Sequence, residues 1–313
     1  MFNITDNRIK DFSGFVLELY GEEKKIGFVD VGSGGDLKEP WSLLPDGRVK
    51  TFDFEPTSHG GGQLPLCVSN QSGKALFYVA NDERASSFHK PLTEFVDRYG
   101  FDGMRTSKNI EVERTTLDQY FFGRYECIDA IDINVEGHDF QVLQGASQLL
   151  DVGAIKLIKV EFELIPVYED QGFFADIDTL LRDKYFRLAG IQIDYARPLK
   201  IKKVFFRGEP LWGKALYVPT IAHSISRLES FYRAGSIDMA RNEMALIIAL
   251  YASAKLPGMI FDIIAISENI RLVSSSEADQ LKSRLVSVFK WAKTEEALRR
   301  FLLLWISFFN TFK

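Results

Sequence analysis

The sequence predicts a doubly wound, mostly parallel α/β sheet over residues 1–219, followed by an all-helical domain over residues 220–313. Two observations carry this prediction. Short apolar runs alternate with helix-like stretches through the first two thirds of the chain, as strands joined by helices do. After about Pro219, helical spacing replaces the strand pattern almost completely. A chain of 313 residues is long enough for two domains that each bury a core.

The apolar runs give the predicted strands in chain order. They are IGFVDV at 26–31, VKTFDF at 49–54, a hairpin from Leu64 to Ala80, CIDAIDI at 127–133, IKLIKVEFEL at 155–164, YFRLAGIQI at 185–193 and KALYV at 214–218. Two helices are predicted among them, DFQVLQGASQLLDVG ending in Gly153 and FFADIDTLLRDKYF leading into the next strand. Four or five packed helices are predicted after residue 220, two of them separated by Pro257-Gly258.

Charge and cysteine content narrow the class of protein. A net charge of −5, with acids and bases spread along the chain, provides no basic patch, so nucleic acid is not an expected partner. Cys67 and Cys127 lie in apolar runs and are predicted to be buried. The sequence has neither the Cys/His spacing of a metal site nor a disulfide framework, and MFNITDNRIK lacks the apolar core of a signal peptide. A cytoplasmic location is therefore expected.

A glycine-rich turn follows the first predicted strand in VDVGSGG at 29–35. Asp30 ends the strand, and Gly32 and Gly34 on either side of Ser33 let the backbone turn tightly and approach a ligand closely. We predict that these four residues bind a cofactor. The next strand ends in Glu55, which is where an open α/β sheet places an acid to accept hydrogen bonds from ribose hydroxyls.

This pair of signals indicates a nucleoside and does not by itself choose between NAD and S-adenosylmethionine. The segment GSGGDLKEPW lacks the third glycine of a dinucleotide fingerprint, and Asp36 and Glu39 would repel phosphates. A ligand without phosphate fits better, so a nicotinamide dehydrogenase is the less favoured alternative.

A third signal occupies the stretch from Leu117 to Ala146. Its motifs are Leu117-Asp118, Asp132-Ile133-Asn134-Val135-Glu136-Gly137 and Val142-Leu143-Gln144-Gly145-Ala146. Five further segments occur before or after them in matching order: VDVGSGG, FDFEP, LCVSNQSG at 66–73, ERASSF at 83–88 and VEFEL at 160–164. In that order and spacing the chain resembles the FkbM family of S-adenosylmethionine-dependent O-methyltransferases, over roughly residues 25–218.

The resemblance implies a seven-stranded, Rossmann-like methyltransferase sheet, S-adenosyl-L-methionine as cofactor, and a hydroxyl of a surface-glycan sugar or a secondary metabolite as methyl acceptor. It also implies cofactor contacts from Ser69, Asn70 and Asn134. Two residues depart from the family pattern: Asp132 replaces its usual lysine, and Asn134 its usual aspartate. An amide keeps the hydrogen bond but loses the charge. A catalytically degenerate cofactor-binding protein, or a non-catalytic interaction module, is therefore the competing hypothesis.

Methyl transfer to oxygen requires a base, and the predicted catalytic residues are Glu136, His138 and Glu161. Gly137 marks a tight turn that would hold Glu136 at the carboxyl edge of the sheet. His138 has a suitable ordinary pKa, but it equally fits a residue that caps the following helix. Glu161 and Glu163 face the same side of one strand, which leaves a divalent ion open, and no metal ligand is assigned. His89 is placed on a loop covering the site.

The helical tail is not needed to hold the cofactor, so substrate selection, oligomerisation or partner binding is expected of it. Its last predicted helix carries apolar residues on more than one face, which favours burial and leaves a homodimer or a membrane-surface contact as alternatives. These residues are Leu298, Phe301, Leu302, Leu304, Trp305, Phe308 and Phe309. The run FLLLWISFF at 301–309 is about half the ~20 residues of a membrane span.

Overall fold

The predicted strands form two sheets in the computed structural model, which describes residues 4–21, 25–32, 38–56, 63–122, 124, 128–201 and 207–289. The strands of the described residues are β1 (Ile26–Val31), β2 (Val49–Phe54), β3 (Cys67–Val68), β4 (Gly73–Ala80), β5 (Thr106–Thr115), β6 (Ala130–Ile133), β7 (Leu157–Glu163), β8 (Phe186–Ala196) and β9 (Glu209–Pro219). The helices are α1 (Ile4–Tyr20), α2 (Thr93–Tyr99), α3 (Leu117–Phe121), α4 (Asp139–Gln144), α5 (Ser147–Asp151), α6 (Phe174–Asp183), α7 (Ile221–Arg233), α8 (Ile237–Ser253) and α9 (Pro257–Asn269), and residues 275–289 are also helical.

The main sheet has the strand order β2-β1-β6-β7-β9-β8. Strands β2, β1, β6 and β7 are parallel, and β9 is antiparallel to both of its neighbours. This confirms a mixed α/β fold with a central, mostly parallel sheet. The described sheet has six strands rather than the predicted seven. Among the described residues beyond β2, Leu64 forms an isolated parallel bridge with Phe54 before the chain enters the second sheet.

The second sheet has the order β3-β5-β4, which differs from the predicted hairpin between Leu64 and Ala80. Strand β5 lies between the two runs, parallel to β3 and antiparallel to β4. The sequence TSKNIEVERT of β5 is mostly exposed and polar, so it gave no apolar run to detect.

The two faces of the main sheet differ in chemistry. One face is apolar, with Val29, Ile131 and Val160 among its fully buried residues, and the side chains of α4, α5 and α6 pack into the same core. The predicted single helix DFQVLQGASQLLDVG is two helices, α4 and α5, with the break at Gly145-Ala146. On the opposite face, charged residues occupy the carboxyl-terminal half of the strands. That face carries the candidate site.

The chain divides into two compact units, and their composition differs from the predicted boundary at 219/220. Residues 25–36 and 49–223 form the sheet unit, whereas residues 1–24, 37–48 and 224–313 form the helical unit. Helix α1 therefore belongs to the helical unit and not to the predicted first domain. It contacts α8, and its side chains Ile9, Val16 and Leu17 are buried.

Within the helical unit, α8 is buried almost continuously from Glu243 to Ser253. As predicted, Pro257 separates two helices, because it begins α9 four residues after the end of α8. The predicted last helix at 298–309 lies outside the described residues. Among the helices that are described, none combines the length and apolar character needed to cross a membrane.

Candidate functional site

The carboxyl ends of β1, β2 and β6 meet at Gly32. Its backbone has φ +83°, and its N–H donates to the Phe54 carbonyl at 3.0 Å. A Cβ at this position would lie 2.0 Å from the carbonyl oxygen of Asn134. A glycine is therefore required here by strand packing as well as by its left-handed conformation. Ser33 and Gly34, the next predicted cofactor residues, lie outside the described residues.

Asn134 directly follows β6 and is tied to β1 through its N–H, which donates to the Val31 carbonyl at 3.0 Å. Its side-chain Oδ1 is buried, and no described residue donates a hydrogen bond to it. A buried acceptor without a donor costs about 1–3 kcal/mol, so a ligand donor is expected at this atom. An ammonium group, such as the amino group of a methionine moiety, fits that requirement.

Asp132, one of the two residues that differ from the family pattern, forms an ion pair with a lysine of the next strand. Asp132 pairs in register with Lys159 of β7, and the Lys159 ammonium lies 2.9 Å from its carboxylate. Both side chains are only 15% exposed. Asp30 lies beside Asp132 on the same face, through the β1–β6 register. Lys159 thus supplies, from the adjacent strand, the positive charge that the family pattern places on β6.

Glu55 lies at the carboxyl end of β2, where the sequence predicts it, and its N–H donates to the Leu64 carbonyl at 3.0 Å. Its charge acts on Cys67: burial, together with Glu55, raises the pKa of the Cys67 thiol to about 12. Cys67 is buried as predicted, and Cys127 lies outside the described residues.

The turn after β6 has two consecutive residues with positive φ, Glu136 at +54° and Gly137 at +83°. One carboxylate oxygen of Glu136, Oε2, accepts a hydrogen bond from the Tyr168 hydroxyl at 2.7 Å. Burial raises the pKa of Glu136, against the opposing effects of Tyr168 and the charge of Lys214. A Cβ at Gly137 would lie 2.7 Å from the Tyr168 ring, so that ring fills the space beside the turn.

Acidic side chains continue along β7. Glu161 pairs in register with Lys214, and Glu163 with Trp212, both on β9. Burial raises the pKa of Glu161 well above its usual range, with the charge of Glu136 contributing, and it raises the pKa of Glu163 to about 8. In the part of the chain that is described, no three His, Cys, Asp or Glu side chains are arranged to hold a metal ion.

His138 is 5% exposed, and both of its ring nitrogens have partners. Nε2 lies 2.9 Å from the Ser69 hydroxyl, and Nδ1 lies 2.9 Å from Nε2 of His89. Burial lowers the pKa of His138 to about 3. Its side chain makes no capping hydrogen bond to the described part of α4. His138 thus occupies the N-cap position of α4 without capping it through its side chain, whose contacts are those of a neutral buried histidine.

The LCVSNQSG turn contributes to this buried network. Ser69 is fully buried against His138, and Asn70 is exposed and donates to Gln144 at 3.0 Å. A Cβ at Gly145 would lie 2.1 Å from the Ser69 carbonyl, so the turn packs directly on the end of α4.

Several residues of the site were given no specific role from the sequence. Tyr168 follows β7 in a segment without a motif, yet it contacts Glu136 across 32 positions. Ser87 lies within ERASSF, and its hydroxyl donates to the Glu136 carbonyl at 2.6 Å. His89 was placed only as part of a covering loop.

Comparison with known proteins agrees with the sequence motifs. Residues 41–188 match the family model of the methyltransferase FkbM domain. No curated protein sequence matches the chain. Among solved structures, the chain is similar to magnesium protoporphyrin IX methyltransferase (ChlM) from Synechocystis PCC 6803 with bound SAM, at 12% identity and a TM-score of 0.28, over 70% of this chain and 86% of that one. A similarity at that level gives no information on the acceptor.

Proposed function

We propose that the chain, whose residues 41–188 match the model of the methyltransferase FkbM family, transfers a methyl group to a hydroxyl oxygen. S-adenosylmethionine is the cofactor of this family. The observation that carries the proposal is the partly buried Glu136 carboxylate, hydrogen-bonded by Tyr168 in a left-handed turn at the carboxyl edge of the sheet. Strained non-glycine backbone of this kind is concentrated at functional sites.

The described residues fit the cofactor at both ends. Asn134 Oδ1 is a buried acceptor that an ammonium group would satisfy. Glu55 ends β2 where a carboxylate can accept hydrogen bonds from a ribose diol. Gly32 links these two positions, because its N–H donates to the Phe54 carbonyl and its Cβ position abuts the Asn134 carbonyl. When bound, S-adenosylmethionine supplies an electrophilic methyl group on a sulfonium, and the sheet edge also offers carboxylates for that positive charge.

Glu136 is the proposed general base. It would accept the proton that the acceptor hydroxyl loses while the acceptor oxygen bonds to the methyl carbon, the carbon–sulfur bond of the sulfonium breaks and the neutral thioether leaves. A carboxylate in water is too weak a base for this at neutral pH, but burial raises the pKa of Glu136 toward the useful range. Tyr168 fixes one carboxylate oxygen, which restricts the direction from which a hydroxyl can approach.

For the acceptor we propose a sugar of a surface glycan or a hydroxylated secondary metabolite, the substrates that the family resemblance implies. Support comes from the face beside Glu136, where the register places Glu161 and Glu163 next to Lys214 and Trp212. Carboxyl groups and an ammonium can hydrogen-bond several hydroxyls, and an indole ring offers an apolar surface for the C–H face of a sugar. We propose that Glu161 binds the acceptor and does not act as a second base.

A cofactor-binding protein without catalysis remains the second candidate, and the specific observation in its favour is Asn134 in place of aspartate. The Asp132–Lys159 pair weakens this reading, because Lys159 compensates the charge that the other departure introduces.

For the helical unit, we also propose that it selects the acceptor or binds a partner, either a second copy or another protein.

Two measurements test the function. Calorimetry with S-adenosylmethionine, S-adenosylhomocysteine and NAD is expected to show binding of the first two only. Transfer of tritiated methyl from S-adenosylmethionine to a panel of sugars and glycosides is then expected to label at least one acceptor on oxygen. Cofactor binding without transfer to any acceptor would favour the second candidate. NAD binding without S-adenosylhomocysteine binding would overturn both.

A further inference from the structure

The segment between residues 87 and 92 is hydrogen-bonded to Glu136 and to the backbone on either side of Tyr168. Ser87 is 2% exposed, and its hydroxyl donates to the Glu136 carbonyl at 2.6 Å while it accepts from the His89 N–H at 2.9 Å. Glu136 is the residue held at φ +54°. The Ser87 hydroxyl is therefore placed to stabilise a conformation that a glutamate adopts only under constraint.

A chain of side-chain hydrogen bonds runs through the same segment. The His89 ring is bonded to the backbone of Glu169, and this bond opposes the effect of burial, which lowers the pKa of His89. A backbone carbonyl only accepts, so His89 donates to it from Nδ1, because its Nε2 faces His138. Neutral His89 then accepts at Nε2 from Nδ1–H of His138. His138 in turn accepts at Nε2 from the Ser69 hydroxyl at 2.9 Å, which is the shorter of the two contacts open to that proton, since Asn70 Oδ1 lies 3.3 Å from the same hydroxyl.

The segment is also bonded to the backbone that carries Tyr168. The Glu169 N–H donates to the Lys90 carbonyl at 2.8 Å, and the Leu92 N–H donates to the Val167 carbonyl at 2.9 Å. Gln171 holds the same backbone from the other side, since its Oε1 accepts from the Tyr168 N–H at 2.6 Å.

We propose that Ser87 and His89 are positioning residues for methyl transfer. They hold the Glu136 turn and the segment around Tyr168 in one arrangement, with His89 and His138 as neutral Nδ1–H tautomers. We call this arrangement the clamp. The role in transfer rests on the function proposed above, whereas the clamp itself does not. On the sheet side, Ser87 bonds directly to Glu136, and His89 is linked to Ser69 through His138.

The tautomers can be measured without any acceptor. The chain has four histidines, so long-range ¹H–¹⁵N NMR of the imidazoles resolves them once single substitutions assign each one. His89 and His138 are expected to stay neutral and Nδ1-protonated through the pH range near 6.5, where an ordinary histidine titrates. Protonation of His138 in that range, or an Nε2–H tautomer at His89, would overturn the assigned chain.

The clamp is tested by Ser87→Ala, with Ser86→Ala as matched control. The Ser86 hydroxyl accepts from the Ala80 N–H and does not contact Glu136. In Ser87→Ala the signals of His89 and His138 are expected to move, whereas in Ser86→Ala they should stay near their wild-type positions. Identical histidine spectra for wild type and Ser87→Ala would overturn the clamp whether or not the protein methylates any acceptor.

With an acceptor from the labelled panel, Ser87→Ala is expected to lower kcat at least tenfold and to move the acidic limb of its pH profile. The KM for S-adenosylmethionine and the affinity for S-adenosylhomocysteine should not change. Ser87→Thr keeps the hydroxyl and is expected to recover most of the rate, as a positioning role requires. A rate equal to that of Ser86→Ala would exclude Ser87 from positioning. Absence of transfer by wild type would overturn the proposed function, and the NMR comparison would still decide on the clamp.

Discussion

The turns after β1 and β6 lie at the same sheet edge, and both use left-handed backbone, but they are built in opposite ways. Gly32 after β1 has φ +83° and no room for a side chain, because the Asn134 carbonyl occupies the position of a Cβ. Glu136 after β6 has φ +54° and a side chain that the site needs. The first turn is fixed by strand packing alone. The second depends on hydrogen bonds from Ser87 and Tyr168, so its geometry can be weakened without unfolding the sheet.

The largest effect is expected at the side chain of the second turn. Glu136→Gln keeps the size of the residue and removes the base, so kcat should fall by roughly 10²–10⁴-fold. S-adenosylhomocysteine affinity should not change. The control is Glu111→Gln on β5, because Glu111 is exposed and paired only with Lys74 among the described residues. Steady-state transfer kinetics decide the matter, and a kcat within a few-fold of wild type would remove Glu136 from catalysis.

At the first turn, the expected effect is on stability. Gly32→Ala places a Cβ 2.0 Å from the Asn134 carbonyl, so the strands must separate, at a cost of about 1–3 kcal/mol beyond the conformational penalty. Gly47→Ala is the matched control, since Gly47 has φ +73° but nothing within 4 Å of its Cβ position. Denaturant unfolding of the two variants separates crowding from backbone conformation. Equal destabilisation of both would show that crowding contributes nothing.

Asn134 joins the two turns, and its substitution should change cofactor affinity. Asn134→Ala removes the buried acceptor and is expected to weaken S-adenosylhomocysteine binding about tenfold, as for a hydrogen bond to a charged group. Asn134→Asp should strengthen it by a smaller factor, because Lys159 already neutralises the neighbouring Asp132. Asn109→Ala, on exposed β5, is the control. Calorimetry that finds the alanine variant unchanged would place the ammonium group elsewhere.

The smallest effect is expected from the acids beside the second turn. The pKa of Glu163 is raised by burial from its ordinary 4.5 to about 8, so between these values the folded protein binds more protons than the unfolded chain does. The free energy of unfolding should therefore fall as pH rises from about 4.5 to about 8. Glu163→Gln should flatten that slope, which urea unfolding at several pH values measures. A slope equal to that of wild type would contradict the raised pKa.

The sequence predicted the two turns and their strands better than the contacts that surround them. Strands β1 and β2 have the predicted bounds because each run is rich in apolar residues and is followed by distinctive residues, the glycine turn after β1 and Glu55-Pro56 after β2. Strand β5 escaped detection because it is largely exposed and polar. His138 was located correctly, but its role depends on Ser69 and His89, which are 69 and 49 positions away. No local pattern can show such partners.

For the same reason, the sequence did not predict which of the two units each segment belongs to. Residues 37–48 lie between two strands of the main sheet, yet they belong to the helical unit. Lys10 of α1 lies 2.7 Å from Asp46, and Lys255 lies 2.8 Å from Glu39. These partners are 36 and 216 positions apart in sequence. Periodicity along the chain predicts that a segment is helical or extended, but it does not say which distant segment will cover it.

The Asp132–Lys159 pair makes the two positions interdependent during sequence divergence. Because they are register partners on adjacent parallel strands, restoring the family's lysine at 132 alone would set two ammonium groups side by side on a partly buried face. Replacing Lys159 alone would leave Asp132 next to Asp30 without its cation. Each single step is therefore disfavoured while the double change is tolerated. The side chain that either position tolerates therefore depends on the residue at the other, so the two positions are expected to vary together among related chains.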